Sequence, residues 1–106
     1  MKQVTIVVPV GYANLASVTG AFQILSRANG YWQKLGNRPV MDIHIAGYEP
    51  ELKLDSGFFS IHPVNIKEIK KADLLIIPSV SHEYDAVIKN NPDLIDGLSA
   101  IFCLII

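Results

Sequence analysis

The sequence has 106 residues, half of them hydrophobic and 18% charged, with nine basic residues against ten acidic ones and a net charge of −1. This composition supports one small core, excludes a disordered chain and leaves room for one domain at most. No basic cluster stands out, so the chain gives no reason to expect direct nucleic-acid contact.

The single cysteine, Cys103, excludes an internal disulfide framework and fits a reducing compartment. The apolar run Val4 to Val10 is broken by Thr5 and Pro9, too short for a membrane span, and lacks signal-peptide flanks. A cytoplasmic protein without membrane contact is the expectation.

Val4 to Val8 is apolar on both faces and β-branched, the pattern of a central parallel strand. Pro9 and Gly11 punctuate the chain, and from Asn14 apolar residues (Leu15, Val18, Phe22, Ile24, Leu25) recur at helical spacing. Asn29-Gly30 is the expected helix stop, because both residues tolerate positive φ.

After Gly36, Asn37 and Pro39, a second strand is expected over Val40 to Ala46, with Asp42 and His44 on a less buried face. Leu52 to Leu54 and Phe58 to Ile61, joined by Asp55-Ser56-Gly57, read as a small hairpin. Asn65 caps a short helix over Ile66 to Lys71, with Ile66 and Ile69 inward.

Leu74 to Ile77 is another buried-strand pattern, followed by Pro78 and a loop from Ser79 to Asp85. Short helices are expected over Tyr84 to Lys89 and Pro92 to Leu98, and a strand over Ile101 to Ile106. No internal repeat or linker is present. Alternating strands and helices point to an α/β fold, a flavodoxin-like three-layer sandwich with a mainly parallel sheet.

Ligands of such sheets bind beyond the carboxyl ends of the strands. The residues to examine are therefore Gly11, Tyr12, Asn14 and Ser17 after the first strand, and Ser79, Val80 and His82 after the later one. The first turn has neither GxxxxGK[ST] nor GxGxxG, so it reads as a plain strand-to-helix turn rather than a nucleotide site.

His44, His62 and His82 have no metal-ligand spacing and no second cysteine joins Cys103, so no metal and no cofactor are expected. Glu83 and Asp85 are the only carboxylates on the rim, and solvated loop charges explain them. Cys103 lies in an apolar run with no glycine or helix after it, which reads as a buried structural thiol. No catalytic residue is assigned.

The opening strand, the Gly11-Tyr12 turn and the helix Ala16 to Asn29 resemble the start of the DJ-1/PfpI superfamily, a class I glutamine amidotransferase-like group. They are most similar to the sensor domain that precedes the helix-turn-helix module in GlxA-like, AraC-type transcription regulators. The hairpin, Ile66 to Ala72 and Asp73 to Pro78 follow in the same order. The resemblance covers about 95 residues, roughly half of the family's domain, so residues 1–106 read as an incomplete, truncated amino-terminal half.

Enzymes of that superfamily carry a carboxylate at the start of the first helix, a Pro-Gly-Gly turn and a cysteine on a nucleophile elbow. Here the corresponding positions read Ser17 (or Asn14) and Pro78-Ser79-Val80, and the elbow is not reached.

The resemblance therefore implies a non-enzymatic, ligand-sensing or regulatory domain that binds a small molecule and forms a homo-oligomer. Two alternatives remain: a hydrolase or amidotransferase-like enzyme using Cys103, and an unrelated flavodoxin-like domain that binds flavin or phosphate.

Overall fold

The computed structural model describes residues 1–11, 13–80, 85, 88–89 and 91–92. The expected helices over 84–89 and 92–98 lie largely outside these residues, and the terminal strand 101–106 with Cys103 lies wholly outside them.

The first apolar run forms β1, Lys2–Val7. It sits in the centre of a parallel sheet in the order β5-β2-β1-β6, between β2, Met41–Gly47, and β6, Leu74–Ile76. Ile6 lies beside Ile45 on one side and Ile76 on the other. A strand covered on both faces has no solvated side on which to place polar residues: Lys2 and Gln3 lie at the less buried start of β1, and in the buried stretch that follows Thr5 is the one polar residue.

Alternation along β1 directs successive side chains to opposite faces. Ile6 and Val8 join Val18, Leu52 and Leu54 in one core. Val7 joins Ala46, Ile66, Ala72 and Leu75 in a second core on the other face. The architecture is the expected α/β one, with a parallel sheet and a helix packed on it.

The helix α1 spans Leu15–Lys34, so the expected stop at Asn29-Gly30 is overturned. Asn29 stays helical because its amide bonds the neighbouring strand: Nδ2 donates to Met41 O at 2.7 Å, and Oδ1 accepts from Val40 and Met41 N–H. The chain turns instead at Gly36, which has φ +91°. There Gly36 N–H donates to Gln33 O at 3.0 Å and Asn37 N–H donates to Trp32 O at 3.4 Å. This is the Schellman arrangement, and it needs a residue that accepts the left-handed region.

The two glycines should therefore respond oppositely to alanine. Gly30→Ala is expected to stabilise by about 0.5–1 kcal/mol, because it lies mid-helix with open space where a Cβ would go. Gly36→Ala should destabilise by about 1–2 kcal/mol through its left-handed φ. Chemical denaturation of both variants checks the pair of signs. Of the apolar residues that recur at helical spacing, Phe22 and Ile24 are exposed, and Val18 is the helix residue that is fully buried.

The hairpin forms as β3, Leu52–Leu54, and β4, Phe59–Ile61, paired antiparallel outside the main sheet. Its turn holds Asp55, Ser56 and Gly57 all at positive φ, and it takes in Phe58, which lies in the turn rather than the strand and is 85% exposed.

The sequence pattern did not reveal β5, Val64–Asn65, which extends the sheet beyond β2. Asn65 Oδ1 accepts from Lys67 N–H at 2.9 Å, as an N-cap should. The helix it caps is one 3-10 turn, Ile66–Glu68, rather than a helix to Lys71, because Ile69 is already extended. Ile66 is buried and Ile69 half-buried, as expected.

Asp73 locks the start of β6 to β1. Its carboxylate accepts from Gln3 N–H at 2.8 Å, and its own N–H donates to Gln3 O at 2.8 Å. The Gln3 N–H, with help from Lys71, Lys2 and the amino terminus, lowers the Asp73 pKa below its ordinary value.

A carboxyl with a lowered folded-state pKa adds stability above its unfolded pKa and loses it as pH falls through the folded one. Acid titration should therefore destabilise the wild type more steeply below about pH 4 than Asp73→Asn. Parallel slopes for the two proteins would refute this role. No helix among the described residues is long and apolar enough to cross a membrane.

Candidate functional site

The carboxyl end of β1 runs through Val8, Pro9 and Val10 to Gly11, which turns at φ +73°. Ala13 then forms an isolated antiparallel bridge with Val80, beyond the carboxyl end of β6. Asn14 N–H donates to Ser79 O at 2.9 Å. These bonds bring the two expected rim segments side by side, although 62 residues separate Ser17 from Ser79.

Asn14 caps α1. Its Oδ1 accepts from Ala16 N–H at 3.1 Å, and its carbonyl accepts from Ser17 and Val18 N–H at 3.1 and 3.2 Å. A helix amino terminus attracts anions through unpaired N–H groups. Here the Ala16, Ser17 and Val18 N–H groups already have partners within the turn, so the geometry is that of a plain strand-to-helix turn.

The centre of the site is a pair of hydroxyls. Ser17 Oγ and Ser79 Oγ lie 2.6 Å apart, on the first turn of α1 and on the loop after β6. No acidic residue occupies that first turn. A serine hydroxyl becomes a nucleophile when a neighbouring base removes its proton; each of these is bonded to another hydroxyl. Ser79 and Val80 also lack positive φ, since Asp55 and Ser56 are the only non-glycine residues with it among the described ones. The turn is thus unlike one built on two glycines.

Of the expected rim residues, Asn14, Ser17, Ser79 and Val80 converge, with Gly11 at the turn that leads to them. Tyr12 and His82 lie outside the described residues, as does Glu83. Asp85 is exposed. The remaining histidines sit elsewhere: His44 Nε2 is 3.2 Å from Asp42 Oδ2 on β2, and His62 Nε2 is 3.5 Å from Glu51 Oε2 beside the hairpin. Among the described residues no His, Cys, Asp and Glu groups cluster as metal ligands.

One contributor was not legible as part of the site. Asn91 is 7% exposed and grips both backbone groups of Val10: its Oδ1 accepts from Val10 N–H at 2.7 Å, and its Nδ2 donates to Val10 O at 3.0 Å. The sequence around it, Asn90-Asn91-Pro92, signals only a local break; the partner lies 81 residues away. Beyond the carboxyl end of β2, a further hollow of about 290 Å3 opens between Gly47, Tyr48, Pro50 and Pro63.

No protein-family model matches the sequence, and no curated protein matches it. Among solved structures, the fold is similar to that of a "putative transcriptional regulator protein" from Vibrio parahaemolyticus, with TM-score 0.70 and 20% identity over 95% of this chain and 50% of that one. It is also similar to an AraC family transcriptional regulator from Pseudomonas putida, with TM-score 0.59 and 16% identity over 92% of this chain and 52% of that one. The chain spans about half the length of each. At these identities the likeness is one of fold.

Proposed function

We propose that the chain is a non-enzymatic, ligand-sensing part of a transcription regulator, of the DJ-1/PfpI type found in GlxA-like, AraC-type proteins. The observation that carries this reading is the Ser17–Ser79 hydroxyl pair, which occupies the rim where an enzyme of that superfamily would place a carboxylate beside a glycine turn. The similarity to two transcriptional regulators along nearly the whole chain supports it.

In this reading residues 1–106 are part of one sensing domain in the cytoplasm. The rim binds a small uncharged or weakly polar molecule through hydroxyl and backbone groups, and DNA is contacted by other parts of the regulator. A second copy of the chain is the partner through which ligand binding would reach DNA.

The test is an NMR titration with a panel of small metabolites, each recovered afterwards and examined for chemical change. Saturable shifts at Ala13 to Val18 and Ser79 to Val80, with the compound recovered intact, are the expected result. Chemical turnover that disappears in Cys103→Ser would replace this reading with the enzymatic one.

A further inference from the structure

Two exposed apolar patches lie away from the rim, and they carry opposite charge. On α1, Ile24, Tyr31 and Leu35 are 70%, 68% and 60% exposed, with Ala28 exposed between them. The spacing i, i+4, i+7, i+11 sets these residues in one stripe along the carboxyl-terminal half of the helix, with Leu35 as its cap. Arg27 and Lys34 run along one flank of the stripe, and α1 contains no acidic residue. The second patch is the hairpin tip, where Phe58 and Phe59 are 85% and 54% exposed. From Asp55 to Ser60 the tip has one acid and no base, and Asp55 is exposed.

Large apolar side chains gathered at a surface mark a contact. Charge decides which contact. A second copy pairing stripe to stripe would set Arg27 and Lys34 against the same cations with no acid between them. Tip to tip would set Asp55 against Asp55, and like charges across an interface oppose association. Stripe to tip has neither fault: apolar meets apolar, and Asp55 meets the cationic flank. The fold permits this contact twice in one pair. Leu52 and Leu54 of the hairpin share a core with Val18 of α1, so both elements cover the same face of the sheet. A two-fold axis running between them lays the tip of each copy on the helix of the other and closes the pair.

We propose that the chain forms a two-fold dimer in which Phe58 and Phe59 of each copy pack on Ile24, Tyr31 and Leu35 of the other, with Asp55 beside the Arg27–Lys34 flank. This gives a surface to the second copy in the regulator reading, and it rests on that reading only for its biological purpose. A contact built from two small patches belongs to the weak class, so the chain is monomeric at about 5 μM and paired at about 500 μM.

Sedimentation equilibrium of the full chain across that range is the test. The mass should double, and pairing should weaken as salt is raised. Asp55→Lys and the double variant Arg27→Glu/Lys34→Glu should each pair at least about tenfold more weakly than wild type. Mixed in equal amounts, these two variants should pair with one another, because the mixture restores opposite charges at both contacts. Phe58→Ala should also lose about tenfold or more in pairing, yet unfold as wild type does at about 5 μM, which separates lost pairing from lost folding. A wild type that stays monomeric throughout overturns the proposal. So does undiminished pairing in Asp55→Lys or Phe58→Ala, or a mixture that does not pair. A monomer that still binds metabolites at the rim removes the dimer alone, whereas a dimer without rim binding removes the sensing role alone.

Discussion

Ile6→Ala is expected to lower the stability of the fold by about 2–5 kcal/mol, the usual cost of emptying a large aliphatic site in a core. Ile6 is fully buried at the middle of the central strand and belongs to the core that joins β1 to α1 and the hairpin. Its neighbours across the sheet are Ile45 and Ile76, both held by backbone pairing, so the sheet cannot contract around the lost atoms. A small domain has about 5–15 kcal/mol to lose, so this one change removes a large fraction of it. Urea denaturation should show a lower midpoint with an unchanged slope. Phe58→Ala serves as the contrast: at 85% exposure its deletion should stay within about 0.5 kcal/mol of wild type. Equal losses for the two variants would mean that the central strand is not where this structure places it.

The second large effect is expected at Asn91. Its amide satisfies both the N–H and the carbonyl of Val10, just where β1 gives way to the turn that carries Gly11 and Asn14. Asn91→Ala leaves both groups without that partner in a largely buried place, at a cost of about 1–3 kcal/mol. Asn91→Asp keeps an acceptor for Val10 N–H but turns a carboxylate oxygen towards the Val10 carbonyl, so it should not rescue the loss. Amide hydrogen exchange at Val10 gives a local reading, and it should accelerate in both variants. Unchanged protection of Val10 in Asn91→Asp would refute the two-bond arrangement. Because Val10 leads directly into the rim, the same variants should also disturb the 2.6 Å contact between Ser17 and Ser79.

Much of the fold was readable wherever a residue's role depends on its near neighbours. Val4 to Val8 announce a strand buried on both faces, and β1 is that strand. Asn65 announces a cap and makes one. The turn type at the end of α1 was also foreshadowed, since a glycine at positive φ does close it, but the glycine is Gly36 rather than Gly30. That choice depends on Asn29 bonding the edge of β2, a contact between elements that local spacing does not encode. Phe22 and Ile24 share the helical spacing of Leu15 and Val18 yet are exposed for a related reason: periodicity marks apolar positions but does not say how wide a stripe the sheet will cover.

The candidate site divides in the same way. That Ser17 and Ser79 lack the charge and backbone freedom of a carboxylate and a glycine is a property of the residues, fixed by identity alone. That their hydroxyls meet at 2.6 Å is decided by the Ala13–Val80 bridge and the Asn14–Ser79 hydrogen bond, which form only when β1 and β6 lie side by side. Thr5 is the sharpest instance. The sequence shows a polar residue within a largely apolar run; only the packed sheet shows that its hydroxyl is buried with no hydrogen-bond partner among the described residues. Secondary structure and residue chemistry are local and follow from order along the chain, whereas burial and partnership depend on which distant segments the sheet brings together.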